Sequence, residues 1–223
     1  MKRFEQKDLF SIFTDNKNDD TNNQINPSLE LSFDKLKEKC TACNKCELRK
    51  GCKQVVFGDG SPEALIMLVG EAPGSDEDNQ GIPFVGSAGQ LLNRILSAVN
   101  IKREEVYITN IVKCRPPRNR LPTNEEINHC LPYLKKQIEI INPDIIVCLG
   151  SLSTRTLIDK NARITKVRGN WYHIHSKLYI PTFHPAALLR DVHKKRPVWE
   201  DFQSISEEYG NLLSKSKERE FYE

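Results

Sequence analysis

Two kinds of segment are missing from this 223-residue sequence. No apolar run reaches the length of a membrane span, and the polar, mixed-charge start MKRFEQKDLF is not a signal peptide. Both absences predict a soluble, cytoplasmic protein with no membrane partner, and nothing requires an oligomer, so we expect a monomer. The GK[ST] ending of a Walker A loop and the GxGxxG dinucleotide pattern are also absent, which disfavours phosphate cradling by a glycine-rich loop.

Disulfide bonds are not expected either, because the cytosol keeps thiols reduced. Of the seven cysteines, Cys148 lies in the apolar stretch DIIVCLG and is predicted to be a buried thiol. Four others crowd into CTACNKCELRKGC, residues 40–52, which is too polar to be core material. Because CxxC spacing lets two thiolates reach one metal centre, this segment predicts a metal site.

The N-terminal part of the chain differs from the rest. Residues 13–28, FTDNKNDDTNNQINPS, are rich in Asn and Asp, so residues 1–28 are predicted to be a disordered extension. The amphipathic stretch FEQKDLFSIF within it is typical of a frayed terminal helix or of a segment that docks on a replication or repair partner. Residues 1–36 are net acidic although the whole chain carries a net charge of +3, so the remainder is basic and suits an anionic partner.

Between residues 29 and 214 the sequence alternates between strand and helix patterns. The apolar stretches are ALIMLVG, EVYITNIV, DIIVCLG and KLYIPTF. Amphipathic helical patterns separate and follow them, one of which is capped at Thr123 with Glu126 three residues later. This pattern predicts an α/β fold: a three-layer α/β/α sandwich with a central, mainly parallel four-stranded sheet. Residues 215–223 are predicted to be a flexible tail after the single domain of residues 29–214.

Three loops leave the ends of the predicted strands, where ligands bind in such sheets. They span residues 70–86, 110–120 and 184–196. In the first loop, glycines allow a flat ligand to approach the backbone N–H groups of Glu71 and Ala72. Phe84, in GIPFVG, fits either a core anchor or an aromatic face on which a base stacks.

The second and third loops carry polar and basic side chains. Asn110 fits either a turn residue or a reader of one edge of a base, because its amide both donates and accepts. Four cations follow it, suited to phosphate contacts or to a solvated face: Lys113, Arg115, Arg118 and Arg120. In the third loop, His184 precedes Leu188 and Leu189, which are expected to be exposed among cations. Apolar tips among cations suit a protein that pushes a wedge into a base stack while holding phosphates.

Four motifs in this sequence, GEAPGSDED, GIPFVGSAGQLL, YITNIVKCRPP and FHPAALLR, carry a family resemblance. They resemble, in order and spacing, the signature motifs of the family-4 uracil-DNA glycosylases, the iron–sulfur branch of that superfamily. The resemblance extends from about Cys43 to Trp199. It implies an enzyme that flips uracil out of DNA and cleaves its N-glycosidic bond, leaving an abasic site for base-excision repair. With no lysine expected in the pocket, the enzyme should be monofunctional.

By the same resemblance, uracil recognition is concentrated in the first loop. Gly70, Glu71 and Ala72 bind the pocket side of the base, partly through backbone groups. Phe84 stacks on the ring. Glu77 lies near C5, where it helps to exclude the methyl group of thymine.

The implied catalytic residues are Glu71, Asn110 and His184. Asn110 reads the Watson–Crick edge of uracil, and His184 donates a hydrogen bond to O2 as negative charge builds on the leaving base. Better-known branches of the superfamily have an aspartate, which helps water attack, where this chain has Ala72. The nearest replacement in this sequence is Glu71.

The resemblance also implies a DNA-contacting surface around the pocket. Leu188 is the predicted wedge that enters the base stack. The predicted phosphate contacts are Arg115, Arg118, Arg190, Lys194, Lys195 and Arg196. Because phosphate contacts fix position and do not read sequence, specificity is expected to rest on the pocket.

Family members carry four cysteines around a 4Fe–4S cluster, of which Cys114 and Cys130 match the second half. For the first half we choose Cys43 and Cys46, because the family's CxxC precedes VVFG by eight residues and only Cys46 stands at that distance. Cys40 paired with Cys43 also has CxxC spacing and remains an alternative. A second alternative is a local zinc site of Cys40, Cys43, Cys46 and Cys52.

Two functions compete with strict uracil excision. One is a glycosylase of the same superfamily that accepts a broader range of deaminated bases, such as hypoxanthine. The other is a non-catalytic iron–sulfur DNA-binding or scaffold protein that recruits partners through residues 1–28. A scaffold needs none of the pocket residues, so their joint presence argues against it: Glu71, Phe84, Asn110 and His184.

Overall fold

The computed structural model describes residues 33–222, with side chains up to residue 215. The predicted N-terminal extension, residues 1–28, and its docking role lie outside the described residues. No helix in the described part of the chain is both long and apolar enough to cross a membrane.

The described residues form strands, α-helices and three short 3-10 turns. The strands are β1 (Asp59–Gly60), β2 (Ile66–Gly70), β3 (Tyr107–Asn110), β4 (Ile145–Leu149), β5 (Tyr172–Ile174) and β6 (Lys177–Thr182). The helices are α1 (Phe33–Thr41), α2 (Leu48–Gly51), α3 (Ser75–Gln80), α4 (Ser87–Ala98), α5 (Asn124–Ile141), α6 (Ser151–Leu157), α7 (Ile164–Val167), α8 (Pro185–Arg190) and α9 (Lys195–Tyr222). The 3-10 turns are Arg103–Glu105, Pro117–Asn119 and Val192–Lys194.

The strands form one sheet in the order β1-β3-β2-β4-β6-β5. Its central strands β3, β2, β4 and β6 are parallel and are the four that the sequence predicted, so the α/β fold with a mainly parallel sheet is confirmed. Strands β1 and β5 add antiparallel edges, which makes the sheet six-stranded rather than four-stranded. With two and three residues, these edge strands are too short to leave a periodic pattern in the sequence.

Strand β2 shows how helices cover both faces of the sheet. Ile66 and Leu68 pack into a core with residues of α4 and α9. Met67 and Val69 pack into a second core with residues of α5 and α6. Every residue of β2 is therefore buried, which explains why the strand is a continuous apolar run without polar alternation.

Two helix boundaries test the sequence signals. Helix α5 begins as predicted: Thr123 Oγ1 accepts the Glu126 N–H at 3.2 Å, and the Glu126 carboxylate accepts the Thr123 N–H at 2.8 Å. Helix α9 continues to Tyr222, past residue 214, because no glycine or proline follows Gly210 to end it. The flexibility of residues 215–223 stays a prediction.

The parallel strands bring the three predicted loops to one edge of the sheet. Gly70 and Asn110, the last residues of β2 and β3, are directly paired in register. Strand β6 ends at Thr182, two residues before His184. Since carboxyl ends of parallel strands point the same way, the loops that follow them meet.

Candidate active site and cysteine cavity

A cleft opens at this carboxyl edge of the sheet. Its volume is about 280 Å³, close to the lower end of the range of about 300–1,000 Å³ of ligand pockets. All three predicted loops contribute to its walls. The predicted uracil-binding residues that line it are Glu71, Ala72, Glu77, Phe84, Asn110 and His184.

Gly70 lies directly beneath these side chains. A Cβ atom on this residue would come within 2.4 Å of Asn110 Oδ1 and 2.6 Å of Phe84 Cζ. Only glycine therefore lets Asn110 and Phe84 approach each other at the floor of the cleft.

Phe84 is held in a conformation that phenylalanine rarely adopts. Its φ of 54° lies in the left-handed region, which costs about 1–3 kcal/mol for a residue other than glycine. Arg103 stabilises it by donating hydrogen bonds to the carbonyl oxygens of Pro83 at 2.7 Å and Phe84 at 3.3 Å. The ring packs on the His184 imidazole, with centroids 5.5 Å apart and an interplanar angle of 29°. Arg103 belongs to no predicted motif, so nothing in the sequence indicated its role.

Glu77 connects helix α3 to the segment that carries Phe84. Its carboxylate accepts the backbone N–H groups of Gly74 at 3.0 Å, Val85 at 3.0 Å and Gly86 at 2.9 Å. Glu77 therefore positions the first loop, a role that the sequence analysis did not assign. Its predicted place near C5 of uracil stays a prediction.

Asn110 lines the cleft and carries a buried acceptor atom. Its side chain is 1% exposed, and among residues 33–215 its Oδ1 is the one buried side-chain nitrogen or oxygen atom without a hydrogen-bond partner. Leaving such an atom unpaired costs about 1–3 kcal/mol. A ligand that brings an N–H donor into the cleft would remove that cost.

His184 is neutral and oriented. It precedes helix α8, and its Nδ1 accepts the Ala186 N–H at 3.1 Å, which leaves the ring proton on Nε2. Burial lowers the pKa of the imidazole to about 4, with the nearby charge of Arg190 acting in the same direction. At neutral pH the ring is therefore an uncharged donor through Nε2.

Glu71 contributes a carboxylate to the wall of the cleft. Burial raises the pKa of its carboxyl group. No hydrogen bond or ion pair to this carboxylate is found within residues 33–215. An unpaired carboxylate in the cleft wall is available to a water molecule.

A second cavity is lined by five cysteines: Cys40, Cys43, Cys46, Cys114 and Cys130. The four predicted ligands are thus brought together, and Cys40 lies with them. Cys52 does not line this cavity, which disfavours the local zinc site that includes it. No three His, Cys, Asp or Glu side chains of the described residues are placed to share one metal ion. A 4Fe–4S cluster does not need ligands that share one ion. Each thiolate binds a different iron, so the sulfur atoms lie further apart than those around a single metal ion.

Comparison with known proteins identifies the family. The family model described as "Uracil DNA glycosylase superfamily" matches residues 57–203, more than half of the chain. The chain belongs to this superfamily. The matched residues include the whole cleft as well as Cys114 and Cys130.

Individual relatives within the superfamily are similar over most of their length. A type-4 uracil-DNA glycosylase of Sulfurisphaera tokodaii is 45% identical over 185 residues, 79% of this chain and 84% of that protein. One of Thermotoga maritima is 49% identical over 160 residues, 70% of this chain and 82% of that protein. One of Archaeoglobus fulgidus is 41% identical over 184 residues, 79% of this chain and 92% of that protein. The predicted kinship with the family-4 uracil-DNA glycosylases is confirmed.

The third loop of this glycosylase-superfamily domain differs from expectation at one of its two leucines. Leu188, predicted to be an exposed wedge, is 1% exposed and packs in the core with Phe183 and Val198. Leu189 is 50% exposed. Helix α8 explains the difference, because successive residues of a helix point in directions about 100° apart, so that one leucine faces the core and the next faces out.

The predicted phosphate contacts fall into two groups. Lys194 lies 3.0 Å from Asp191, and Arg196 lies 3.3 Å from Glu200, so their charges are partly offset. Among the predicted phosphate contacts, Arg118, Arg190 and Lys195 are exposed and have no acidic partner within residues 33–215. The second group is the better placed to bind an anion.

Three cations of the second loop are already engaged by neighbouring groups of the protein. Arg120 lines the cleft, but its guanidinium donates to both Glu126 carboxylate oxygens, at 2.8 and 2.6 Å, so its charge is largely offset. Arg115 donates from Nε to Asn119 Oδ1 at 2.8 Å, which braces the loop. Lys113 is neither solvated nor available to phosphate. Its side chain is 1% exposed, and oxygen atoms of the protein interior accept its hydrogen bonds.

Proposed function

We propose that this chain is a type-4 uracil-DNA glycosylase that removes uracil from DNA as the first step of base-excision repair. The enzyme flips the nucleotide into the cleft and hydrolyses its N-glycosidic bond, which leaves an abasic site. The observation that carries the proposal is the cleft itself. An unpaired amide acceptor, a neutral imidazole donor and an unpaired carboxylate converge there from three loops: Asn110, His184 and Glu71.

Uracil recognition follows from the Asn110 amide. Its unpaired Oδ1 accepts the N3–H of uracil, and its amide nitrogen donates to O4. Cytosine has a bare N3 and an amino group at C4, so it presents the opposite pattern and leaves both amide groups unsatisfied. Phe84 supplies the aromatic face, and the narrow floor at Gly70 positions the base between them.

His184 supplies the main electrostatic contribution to bond cleavage. As the C1′–N1 bond breaks, its electron pair moves onto uracil, and negative charge builds on O2. At that stage the Nε2–H group of His184 donates a hydrogen bond to O2. Removing one such placed donor typically costs ~10²–10³ in rate.

Glu71 is assigned to the water. The attacking oxygen bonds to C1′ as N1 departs, and the water proton passes to the departing uracil or to solvent. A free carboxylate that accepts a hydrogen bond from this water orients it toward C1′. Among the described residues, none that lines the cleft is a lysine, which supports a monofunctional hydrolase without a Schiff-base step.

We assign Cys43, Cys46, Cys114 and Cys130 to a 4Fe–4S cluster. The residues fit the group: their thiols line one cavity, and Cys130 Sγ already accepts the Lys113 N–H at 3.2 Å, a type of bond that tunes such clusters. When bound, the cluster supplies a covalent cross-link and no step of the hydrolysis. It ties the segment between α1 and α2 to the loop after β3 and to helix α5.

DNA contact is assigned to the mouth of the cleft. Leu189 is the wedge, in place of the buried Leu188, and Arg118, Arg190 and Lys195 hold phosphates. Arg115, Lys194 and Arg196 contribute more weakly, since their groups already bind neighbouring side chains. We further propose a cytoplasmic monomer, with residues 1–28 available to a replication or repair partner.

The test is a nicking assay with protein purified anaerobically. An oligonucleotide with one uracil is incubated with the protein and then treated with alkali, which breaks the strand at an abasic site. Cleavage at uracil by brown protein absorbing near 400 nm is the expected result, with none at thymine in a matched strand. Cleavage at hypoxanthine as well would indicate the broader base range. Cluster-loaded protein that binds DNA without cleaving it would contradict the proposal in favour of a scaffold.

A further inference from the structure

Lys113 occupies an unusual place for a lysine. Its side chain is 1% exposed, although lysine is almost never fully buried unless it is paired. It follows Asn110 by three residues and precedes Cys114 by one, and it also lines the cysteine cavity. It therefore lies between the proposed uracil site and the proposed cluster site.

The ammonium group of Lys113 donates three hydrogen bonds, each to a neutral oxygen. The acceptors are Thr109 Oγ1 at 2.5 Å, the Asn110 carbonyl at 2.8 Å and Gln137 Oε1 at 2.6 Å. Thr109 and Asn110 end strand β3, whereas Gln137 lies in helix α5. The lysine thus ties the end of the strand to the helix that carries Cys130.

The backbone of Lys113 forms a further connection. Its N–H donates to Cys130 Sγ at 3.2 Å, and its carbonyl accepts the Val56 N–H at 2.8 Å. One residue therefore contacts both a predicted cluster ligand and the strand end that presents Asn110.

Asn110 depends on backbone support because no hydrogen bond within residues 33–215 fixes its side chain. Its amide direction is set by the end of β3 and by close packing on Gly70. The Asn110 carbonyl is the group that Lys113 holds. A strand end that was free to rotate would aim the amide away from the base.

We propose that Lys113 is a positioning residue for uracil recognition. It fixes the end of β3 so that the Asn110 amide faces the base, and it couples that position to the cysteine site through Cys130. The inference rests on the proposed function of the cleft. A purely structural role would affect stability alone, whereas a positioning role also changes the affinity of the folded protein for uracil.

The experiment compares two lysine-to-methionine variants. Lys113→Met removes the ammonium while keeping most of the side-chain volume. Lys177→Met is the matched control: Lys177 Nζ also donates to an amide oxygen, Asn142 Oδ1 at 2.6 Å, and to a carbonyl, that of Pro143 at 2.9 Å. Lys177 begins β6, at the opposite edge of the sheet from the cleft.

The probe is free uracil, titrated by calorimetry into cluster-loaded protein. We expect Lys113→Met to weaken uracil binding about tenfold, the size of one well-placed hydrogen bond, while Lys177→Met binds as the wild type does. Absorbance near 400 nm and the melting temperature are recorded for each variant. These readouts separate recognition from cluster loading and stability.

A second variant covers the case in which Lys113→Met does not fold. Thr109→Val keeps the shape of the side chain and removes one acceptor of the ammonium, so we expect about threefold weaker uracil binding. Wild-type affinity in folded Lys113→Met, or in Thr109→Val if the first variant is unfolded, overturns the proposal even if the melting temperature falls. If the wild type neither binds uracil nor excises it, the proposed function is wrong and this inference falls with it, so the two failures are distinguishable.

Discussion

The cleft and the cysteine cavity adjoin the same short segment, and they differ in what their side chains leave unpaired. Asn110 ends β3 in the cleft, and Cys114 lines the cavity four residues later. In the cleft, polar groups stay free for a ligand, since Asn110 Oδ1 has no partner within residues 33–215 and His184 retains its Nε2 proton. The cavity gathers the thiols of five cysteines. Free hydrogen-bonding groups suit a substrate that enters and leaves, whereas converging thiols suit a group that stays bound.

This difference sets the expected cost of substitutions in the two regions. Groups that are left unpaired in the folded protein contribute little to stability, so their removal should lower activity and spare the fold. Groups that cross-link distant segments contribute much to stability, so their removal should mainly destabilise the fold. Four experiments test this contrast, beginning with the largest expected effect.

His184→Ala should lower the single-turnover rate of uracil excision by ~10²–10³, because it removes the donor to O2. The melting temperature should fall only modestly, by the loss of the helix-capping bond to Ala186 and of the packing on Phe84. Binding to DNA with a non-cleavable uracil analogue, measured in parallel, should remain close to that of the wild type. A variant that retains most of the wild-type rate would break the assignment of His184 to the leaving base.

Cys114→Ser should abolish the absorbance near 400 nm and lower the melting temperature by roughly 10 °C, since about 3 kcal/mol moves Tm by that order in a domain of this size. Cys148→Ala is the matched control, because Cys148 is fully buried in β4 but away from the cavity. It should keep the cluster. Equal iron content in Cys114→Ser and wild type would contradict the ligand assignment.

The two leucines of helix α8 offer a smaller, paired test. Leu189→Ala should reduce excision from double-stranded DNA about tenfold without destabilising the protein, because the side chain is 50% exposed. Leu188→Ala should instead cost about 2–5 kcal/mol of stability, because that side chain is buried. Duplex excision rates and urea unfolding of both variants decide the matter, and the opposite pattern would restore Leu188 as the wedge.

The smallest effect concerns pH and stability. Because burial lowers the pKa of His184 to about 4 in the folded protein, the unfolded chain takes up the proton first, near pH 6.5. The contribution of neutral His184 is complete above pH 6.5 and declines as the pH falls toward 4. The free energy of unfolding should therefore drop more steeply over this interval in wild type than in His184→Asn, as followed by urea titration. Parallel curves would show that the imidazole titrates normally.

Much of the fold was predictable because its signals are local. Strands β2 and β4 are continuous apolar runs, β3 and β6 lie in mostly apolar stretches, and the capping pair of Thr123 and Glu126 marks the start of α5. The edge strands β1 and β5 were not predictable, because segments of two and three residues have no periodicity. Their pairing depends on neighbouring strands that the chain supplies from elsewhere.

The site shows the same division. The motifs led to Glu71, Phe84, Asn110 and His184, and all four line one cleft. Arg103 was missed because its contacts to Pro83 and Phe84 span about 20 residues and follow no motif.

Charge and exposure were the least predictable properties. Lys113 resembled its basic neighbours in the sequence, yet it is buried because Thr109, Asn110 and Gln137 offer it three oxygens. Adjacent leucines looked alike as well, although a helix sends them in different directions. The residue type sets the chemistry of a side chain, whereas its neighbours in the folded structure decide whether it is exposed to solvent.

The sequence by itself determined the α/β class, the order of the strands along the chain, the family and the identity of the residues at the strand ends. These depend on apolar periodicity, caps and short motifs, which act between residues close in sequence. Only the tertiary structure decided that the three loops share one cleft, that His184 is neutral and that Lys113 supports Asn110. Those properties arise from burial and from hydrogen bonds between segments far apart in sequence, which form only when the sheet has brought the segments together.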